Sequence, residues 1–410
     1  MLLHQSKLFG KARKETPADA DSVGHQYMAR GGYVDRLASG IYSMLPLGWR
    51  VHNNIENIIR DEMNNIDGQE VTLPSLQPSS LWRESGRLDA MDPPLFRVND
   101  RHKRELVLGP THEEVMTDLA RNYISSYKDL PVALFQMQTK FRNEMRATGG
   151  LLRVREFVMK DLYSFHQTGD DLSKYYKRVE KAYQAIFSRC DLEIIQSRAD
   201  SGTIGGSISH EWQIPAEVGE DKVMICPDCG FAVNADLEDG ADNNCEECGV
   251  KLEIKSCIEG GHTFQLGTKY SKSMNAYYTA EDGGKELIVM GCYGVGVGRL
   301  MAAIADTHND ERGLTWPMAV APFKVHVLAL QSSVIEAAKK AAERLAVKVD
   351  VLFDDREISA GEKFAESDLL GIPIRIIISE KTEKEDKVEV VDRQSGDSEM
   401  KKLEDVVEGL

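Results

Sequence analysis

The chain has 410 residues, 42% hydrophobic and 28% charged, which suits a water-soluble protein of two or three domains with a large core. Its formal net charge of −16 excludes a general nucleic-acid coat, because phosphate binding needs clustered Lys and Arg, so any RNA contact must come from placed residues. No apolar run approaches the ~18 residues of a membrane span, and the start MLLHQSKLFGKARKE breaks into charge too early for a signal peptide, so the expected compartment is the cytoplasm.

Residues 49–63 place Val51, Ile55, Ile58, Ile59 and Met63 on one helical face. A turn at Asp67-Gly68 then leads into a strand, EVTLPSL, which contains Pro74. In LGPTHEEV (108–115), Thr111 and Glu113 would share a face if extended and could together grip a protonated amine. The same residues also allow a helix N-cap, with Thr111 and Glu114 as a capping box, and the local pattern favours the cap.

Residues 141–165, FRNEMRATGGLLRVREFVMKDLYSF, read as paired strands about a turn at Gly149-Gly150. Arg142 and Arg153 offer guanidinium groups for phosphate, Glu144 a carboxylate for an exocyclic amine, and Phe157 an aromatic face for a flat base. Together these groups suit ATP. A long helix is expected over 171–191, with Leu172, Tyr175, Val179, Tyr183 and Ile186 on one side.

Residues 221–257 are cysteine- and turn-rich. Four of the chain's seven cysteines form Cys226-x-x-Cys229 and Cys245-x-x-Cys248, with fifteen residues between the pairs. In a reducing compartment such pairs indicate metal and not disulfide, and the spacing fits a closed, structural Cys₄ zinc site. The alternative is a ribbon held without metal. Glycines 230 and 249 each follow the second cysteine of a pair, as knuckle turns need.

The stretch ELIVMGCYGVGVGR (286–299) reads as a strand running into the helix LMAAIADTH. Glycines 294, 296 and 298 precede Arg299, which stands where a dinucleotide fingerprint would need glycine, and no phosphate-loop motif is present. The glycines either let ATP approach the backbone, with Arg299 beside its phosphates, or serve helix–strand packing. WPMAVAPF (316–323) reads as a linker. Beyond it, KVHVLAL, a helix at 332–346, VKVDVLF, a helix at 361–370 and IPIRIII alternate strand and helix, as a small α/β domain does. This stretch, 323–410, has 14 basic against 20 acidic residues, which is no bulk attraction for RNA.

The order F-R-x-E, loop, R-x-x-x-F resembles motif 2 of class II aminoacyl-tRNA synthetases, and G-x-G-x-G-R resembles their motif 3. Helix 49–63 with Pro74 matches motif 1 more loosely; in that class it lies at the dimer interface. The runs SGIYSMLPLGWRV, LWRESGR, LGPTHEEV, REFVMKDLYSFH, GGSISHEW, GHTFQLGTKYS, GCYGVGVGR and DDREISAGEKFAESDLLGIP extend the resemblance, from end to end, to the bacterial-type prolyl-tRNA synthetase family. KYSKS at 269–273 also looks like a class I signature loop, but no partner motif accompanies it.

The resemblance implies an α+β catalytic domain, an antiparallel sheet flanked by helices, at 1–215 and 259–318. It further implies a zinc-ribbon-like insert at 216–258 and an α/β anticodon-binding domain at 323–410. Arg142 and Arg299 would carry catalysis, and ATP would meet Arg142, Glu144, Arg153, Phe157, Gln265 and Arg299. L-proline would meet Thr111, Glu113, Arg142, Met159, Asp161, Phe165 and His262. Arg146 and the turn Asp354, Asp355, Arg356 and Glu357, with Lys363, would contact tRNA(Pro). Mg²⁺ and a homodimer are implied as well.

Two departures stand out. The motif 2 loop reads Arg146-Ala147-Thr148-Gly149-Gly150-Leu151 where relatives commonly carry R-P-R-x-G-L. Many bacterial relatives also insert a long alanyl-tRNA editing domain where this chain has only about fifty residues and the four cysteines. The competing readings are a synthetase for another small amino acid, such as threonine, and a non-catalytic regulator or RNA-binding paralogue.

Overall fold

The computed structural model describes residues 1–17, 20–237 and 244–410, and packing divides the chain into two units. One comprises Ser39–Ile41 and Glu56–Ala303; the other comprises Met1–Ala38, Tyr42–Ile55 and Ile304–Leu410. This division differs from boundaries drawn through motifs, because the chain's first strand, Leu2–His4, pairs in parallel with Val351–Asp354. Residues 238–243, within the insert expected at 216–258, lie outside the described residues.

The larger unit is built on a nine-stranded sheet among the described residues. Its centre is antiparallel: Val132–Phe141 pairs with Glu156–His166, which pairs with Val289–Gly296, which pairs with Glu253–Gly267. The expected hairpin therefore forms, but its loop spans 142–155 and Arg142 stands at the loop's start. Gly149 and Gly150, at φ 64° and 61°, supply the left-handed turn.

Helix Gly169–Arg189 covers one face of this sheet. Thr168 caps it by accepting from the Asp171 N–H, and the five expected apolar residues are all buried on it. Tyr183 of this helix accepts at 2.7 Å from the ammonium of Lys160, and the Tyr293 carbonyl accepts from it at 3.1 Å. Burial pushes the Lys160 ammonium down to about 7. The opposite face is left for a pocket.

Helix Pro46–Asn64 realises the expected 49–63 segment, with Val51, Ile55, Ile58, Ile59 and Met63 buried. EVTLPSL is not one strand: extended structure breaks between Gly68–Glu70 and Leu76–Pro78, across Pro74, which has no N–H for a ladder. KYSKS is a short packed helix, Lys269–Ser273, whose Lys269 ammonium is tied to the carbonyls of Thr203 and Ile204.

The smaller unit carries a six-stranded sheet ordered Leu2–His4, Val351–Asp354, Val325–Ala329, Ile374–Ile378, Val388–Asp392, Ser398–Lys401. Its centre is parallel, with helices Ile335–Leu345 and Ala360–Leu370 joining the strands as the alternation indicates. Among the described residues no helix is long and apolar enough to cross a membrane.

Candidate active site

On the uncovered face of the larger sheet lies a cavity of about 400 Å³. Thr111, Glu113, Arg142, Glu144, Arg153, Phe157, Met159, Asp161, His262 and Arg299 all line it. Period-2 alternation explains the core of this set: Phe157, Met159 and Asp161 are alternate residues of one strand and share its face.

Two of the expected residues are elsewhere. Gln265 projects from the reverse face, where its Oε1 accepts from Ser173 of the covering helix. Its neighbours in alternation, His262 and Phe264, face the pocket. Phe165 lies on the pocket side but deeper, fully buried in a cluster with Met116, Tyr163, Phe264 and Met290.

At one end of the cavity, Thr111 and Glu113 meet, though not on a strand. Glu113 opens helix Glu113–Tyr123, His112 is its N-cap residue, and neither Thr111 nor Glu114 completes a capping box. The Thr111 hydroxyl donates to Glu113 Oε1 at 2.7 Å, and the thiol of Cys292 donates to the same oxygen at 3.2 Å. Arg87 donates to Glu113 Oε2 at 3.0 Å and to Glu114 at 3.0 Å. Burial alone would raise the Glu113 carboxyl, but Arg87 together with the hydrogen bonds from Thr111 and Cys292 outweighs it and holds the group below its ordinary range.

Asp161 also has buried partners. Lys140 Nζ stands 2.8 Å from Asp161 Oδ1, and Gln136 donates to Oδ2 at 3.0 Å. Lys140 also meets Nδ1 of His112, the residue before Glu113, at 2.6 Å.

The other end is cationic. The guanidinium of Arg142 lies over the Phe157 ring, 5.2 Å from its centroid, and makes no ion pair among the described residues. Burial and the nearby charge of Arg299 both weigh against the Arg142 cation, so the two arginines form a place that favours an anion. Arg299 donates to Glu259 Oε2 and, at 2.9 Å, to the Leu152 carbonyl. Gly294 and Gly296 line the wall here without side chains.

Beside them, Glu211, Glu259 and His262 bring three ligand atoms within 4.8 Å of one another. Burial and the charge of Glu259 raise the Glu211 carboxyl. Glu259 itself is pulled to about 2: burial opposes this, but Arg299 and His262 prevail. Such an oxygen-rich pair is suited to a hard cation.

Residues 96–308 match the family described as the tRNA synthetase class II core domain (G, H, P, S and T), and residues 324–410 match the anticodon binding domain. Proline--tRNA ligase of Wolbachia sp. subsp. Brugia malayi is 44% identical, covering 96% of each chain. The chain belongs to the prolyl-tRNA synthetase family.

Another relative, proline--tRNA ligase of Dehalococcoides mccartyi (strain 195), is 35% identical and covers 99% of this chain and 98% of its own. That alignment runs over 557 positions, more than 410 residues can fill, so this prolyl-tRNA synthetase relative carries segments without a counterpart here. The fold resembles the solved Giardia lamblia prolyl-tRNA synthetase in complex with prolyl-adenylate. Its TM-score is 0.77 at 20% identity, with 93% of this chain and 74% of that one covered.

The four cysteines of the insert converge. Sγ separations are 3.4 Å for Cys226–Cys248, 3.5 Å for Cys229–Cys245 and 3.7 Å for Cys229–Cys248. Those are the edges of a small tetrahedron, near the ~3.8 Å that a Zn–S bond of ~2.3 Å implies, and far longer than a disulfide. Gly230 and Gly249 adopt φ 75° and 76°, and matching N–H bonds to the Cys226 and Cys245 carbonyls close the two knuckles.

In the smaller unit, the expected tRNA contacts are only partly exposed. Lys363 is buried, its ammonium donating to the Ala329 carbonyl at 2.6 Å and the Asp354 carbonyl at 3.3 Å, so it braces two strand ends and does not face solvent. Arg356 is half-buried between Asp354 and Glu366, while Glu357 is exposed. Arg146, in the 142–155 loop, is exposed.

Sequence reasoning missed Arg87, Lys140, Cys292, Glu211 and Glu259. Arg87 stands inside the quoted LWRESGR run, but nothing local pairs it with a residue 26 positions on. Glu259 was hidden by a bulge. The register with Ile208–Pro215 shifts at Gly260, so Glu259 and His262 reach the same face against simple alternation.

Proposed function

We propose that this chain activates L-proline with ATP and transfers the prolyl group to the 3′ end of tRNA(Pro). Family membership over nearly the whole chain supports the reaction, and the single observation that carries the site is the pairing of an anionic niche with a cationic one. Glu113, kept ionised by Arg87, and the Thr111 hydroxyl receive the proline ammonium. Met159 and His262 bound the ring, and Asp161 sets the polar edge of this niche.

Arg142 spans the two niches. It holds the proline carboxylate and the α-phosphate together, so the carboxylate attacks α-phosphorus in line while pyrophosphate leaves. Phe157 stacks the adenine, Glu144 accepts from its amine, and Arg299 with Arg153 neutralises the outer phosphates. Mg²⁺ would be held by Glu211 and Glu259 and would supply charge neutralisation to the phosphates. The terminal adenosine hydroxyl then attacks the prolyl-adenylate carbonyl, releasing AMP.

Structural Zn²⁺ in the Cys₄ knuckle, a homodimer and a cytoplasmic location complete the reading. In the smaller unit, Asp355, Arg356 and Glu357 line a cavity of about 590 Å³ with Gln5, Ser6 and Lys11, which suits an anticodon base. The cysteine module leaves no space in sequence for an editing domain. A proline pocket cannot exclude alanine by size, and lost apolar contact gives only ~1–3 kcal/mol per methylene. The enzyme therefore charges alanine measurably. The test is charging of tRNA(Pro) with labelled proline and alanine; robust prolylation with no alanyl-tRNA would refute the editing claim, and no prolylation would refute the function.

A further inference from the structure

Many cations of the larger unit, such as Arg60, Arg121, Arg178 and Arg189, are committed to carboxylates. Around the pocket mouth, Arg153 faces Glu220 at 3.2 Å, and Arg155 donates to the carbonyls of Glu144 and Ser39. One place differs. Strands Phe96–Asn99 and Glu105–Leu108 form a hairpin whose tip carries Arg101, His102, Lys103 and Arg104, all exposed. Nearby acids are already taken: Glu105 pairs with Arg83 at 2.6 Å and Asp89 with Arg97 at 2.6 Å. Asp100 spends its Oδ1 on the N–H groups of His102 and Arg104, at 2.7 and 2.9 Å. Among the described residues Arg101, Lys103 and Arg104 have no ion pair, in a chain of net charge −16.

The tip is also rigid. Lys103 N–H donates to the Asp100 carbonyl and Asp100 N–H to the Arg104 carbonyl, each at 3.0 Å. This is a three-residue loop in which the last position is left-handed, and Lys103 holds it at φ 61°. Glycine is the residue that such a position favours. A lysine there keeps a strained backbone in exchange for a charge.

From Arg104 the chain runs along one strand into Thr111 of the pocket, a span of at most about 25 Å. We infer that this hairpin tip is a phosphate clamp for the paired acceptor stem of the tRNA whose terminal adenosine enters the pocket. The inference rests on the function proposed above. Three cations on a short rigid arch match backbone phosphates, which position a nucleic acid without reading its sequence.

The test compares the full chain with the triple variant Arg101→Ala/Lys103→Gly/Arg104→Ala and with Lys103→Gly alone. Proline-dependent ATP–pyrophosphate exchange without tRNA should be unchanged in both; its absence in the parent enzyme would instead overturn the proposed function. The triple variant should raise the KM for tRNA(Pro), and weaken binding of an acceptor-stem minihelix, by tenfold or more. The slope of log affinity against log salt should flatten by about 2–3 units, at ~0.7–0.9 per phosphate contact. Lys103→Gly should unfold at a higher temperature while binding the minihelix less tightly, a combination that a structural role would not give. Unchanged minihelix affinity and salt slope in the triple variant would overturn the clamp, leaving these cations to solubility or to an acidic protein partner.

Discussion

Arg87 Nη1 and Glu113 Oε2 stand 3.0 Å apart, and both side chains are buried beside the pocket. The ion pair couples a helix-opening carboxylate to an arginine from the preceding segment. Removing one partner of a buried pair leaves an uncompensated charge and typically costs ~3–5 kcal/mol. Arg87→Met should therefore lower the unfolding free energy by about that amount, and should raise the KM for proline on the order of tenfold with a smaller effect on the KM for ATP. Arg87→Lys should recover part of both. Urea unfolding and substrate-resolved exchange kinetics check this; equal effects on both KM values would contradict it.

The acid limb of stability should carry the signature of Glu259. Its folded pKa, about 2, lies below that of an ordinary glutamate because Arg299 and His262 overcome its burial. A depressed carboxylate contributes stability that is fully present above its unfolded value, near 4.5, and is lost as pH falls toward 2. The melting temperature of Glu259→Gln should thus fall below that of the parent at pH 5 and above, and the gap should close as pH drops below 4.5. Glu211, raised by burial, contributes with the opposite sign.

Much of this site was legible in the sequence, and the reasons are local. Phe157, Met159 and Asp161 follow strand alternation, and Arg142 and Glu144 begin the loop that their motif implies. What failed required tertiary information. Gln265 was assigned by run and not by phase, and it sits three residues past His262, on the other face. Lys363 reads as an exposed helical cation, but its first-turn position points it between strand ends. The N-terminal strand pairs with a strand about 350 residues away, a contact that no local pattern encodes.

The relocation of Gln265 has a direct consequence. Gln265→Ala should leave the KM for ATP within about twofold. Phe157→Ala should raise it about tenfold or more, since stacking a base on an aromatic ring is worth ~1–3 kcal/mol. A large ATP effect for Gln265→Ala would return that side chain to the nucleotide.

Metal analysis of the purified chain should give one zinc per molecule. Cys245→Ser or strong chelation should remove it and expose the described parts of 221–257 to protease, while leaving the helix Gly169–Arg189 protected from hydrogen exchange. No metal in a protease-resistant module would mean that the knuckles close on thiols alone.

The most direct test of the central claim is amino-acid-dependent ATP–pyrophosphate exchange with proline, alanine and threonine as alternatives. Strong exchange is expected with proline, weak but measurable exchange with alanine, none above background with threonine, and loss of the proline signal in Arg142→Ala. Exchange driven by threonine, or none with any of the three from folded protein, would contradict it.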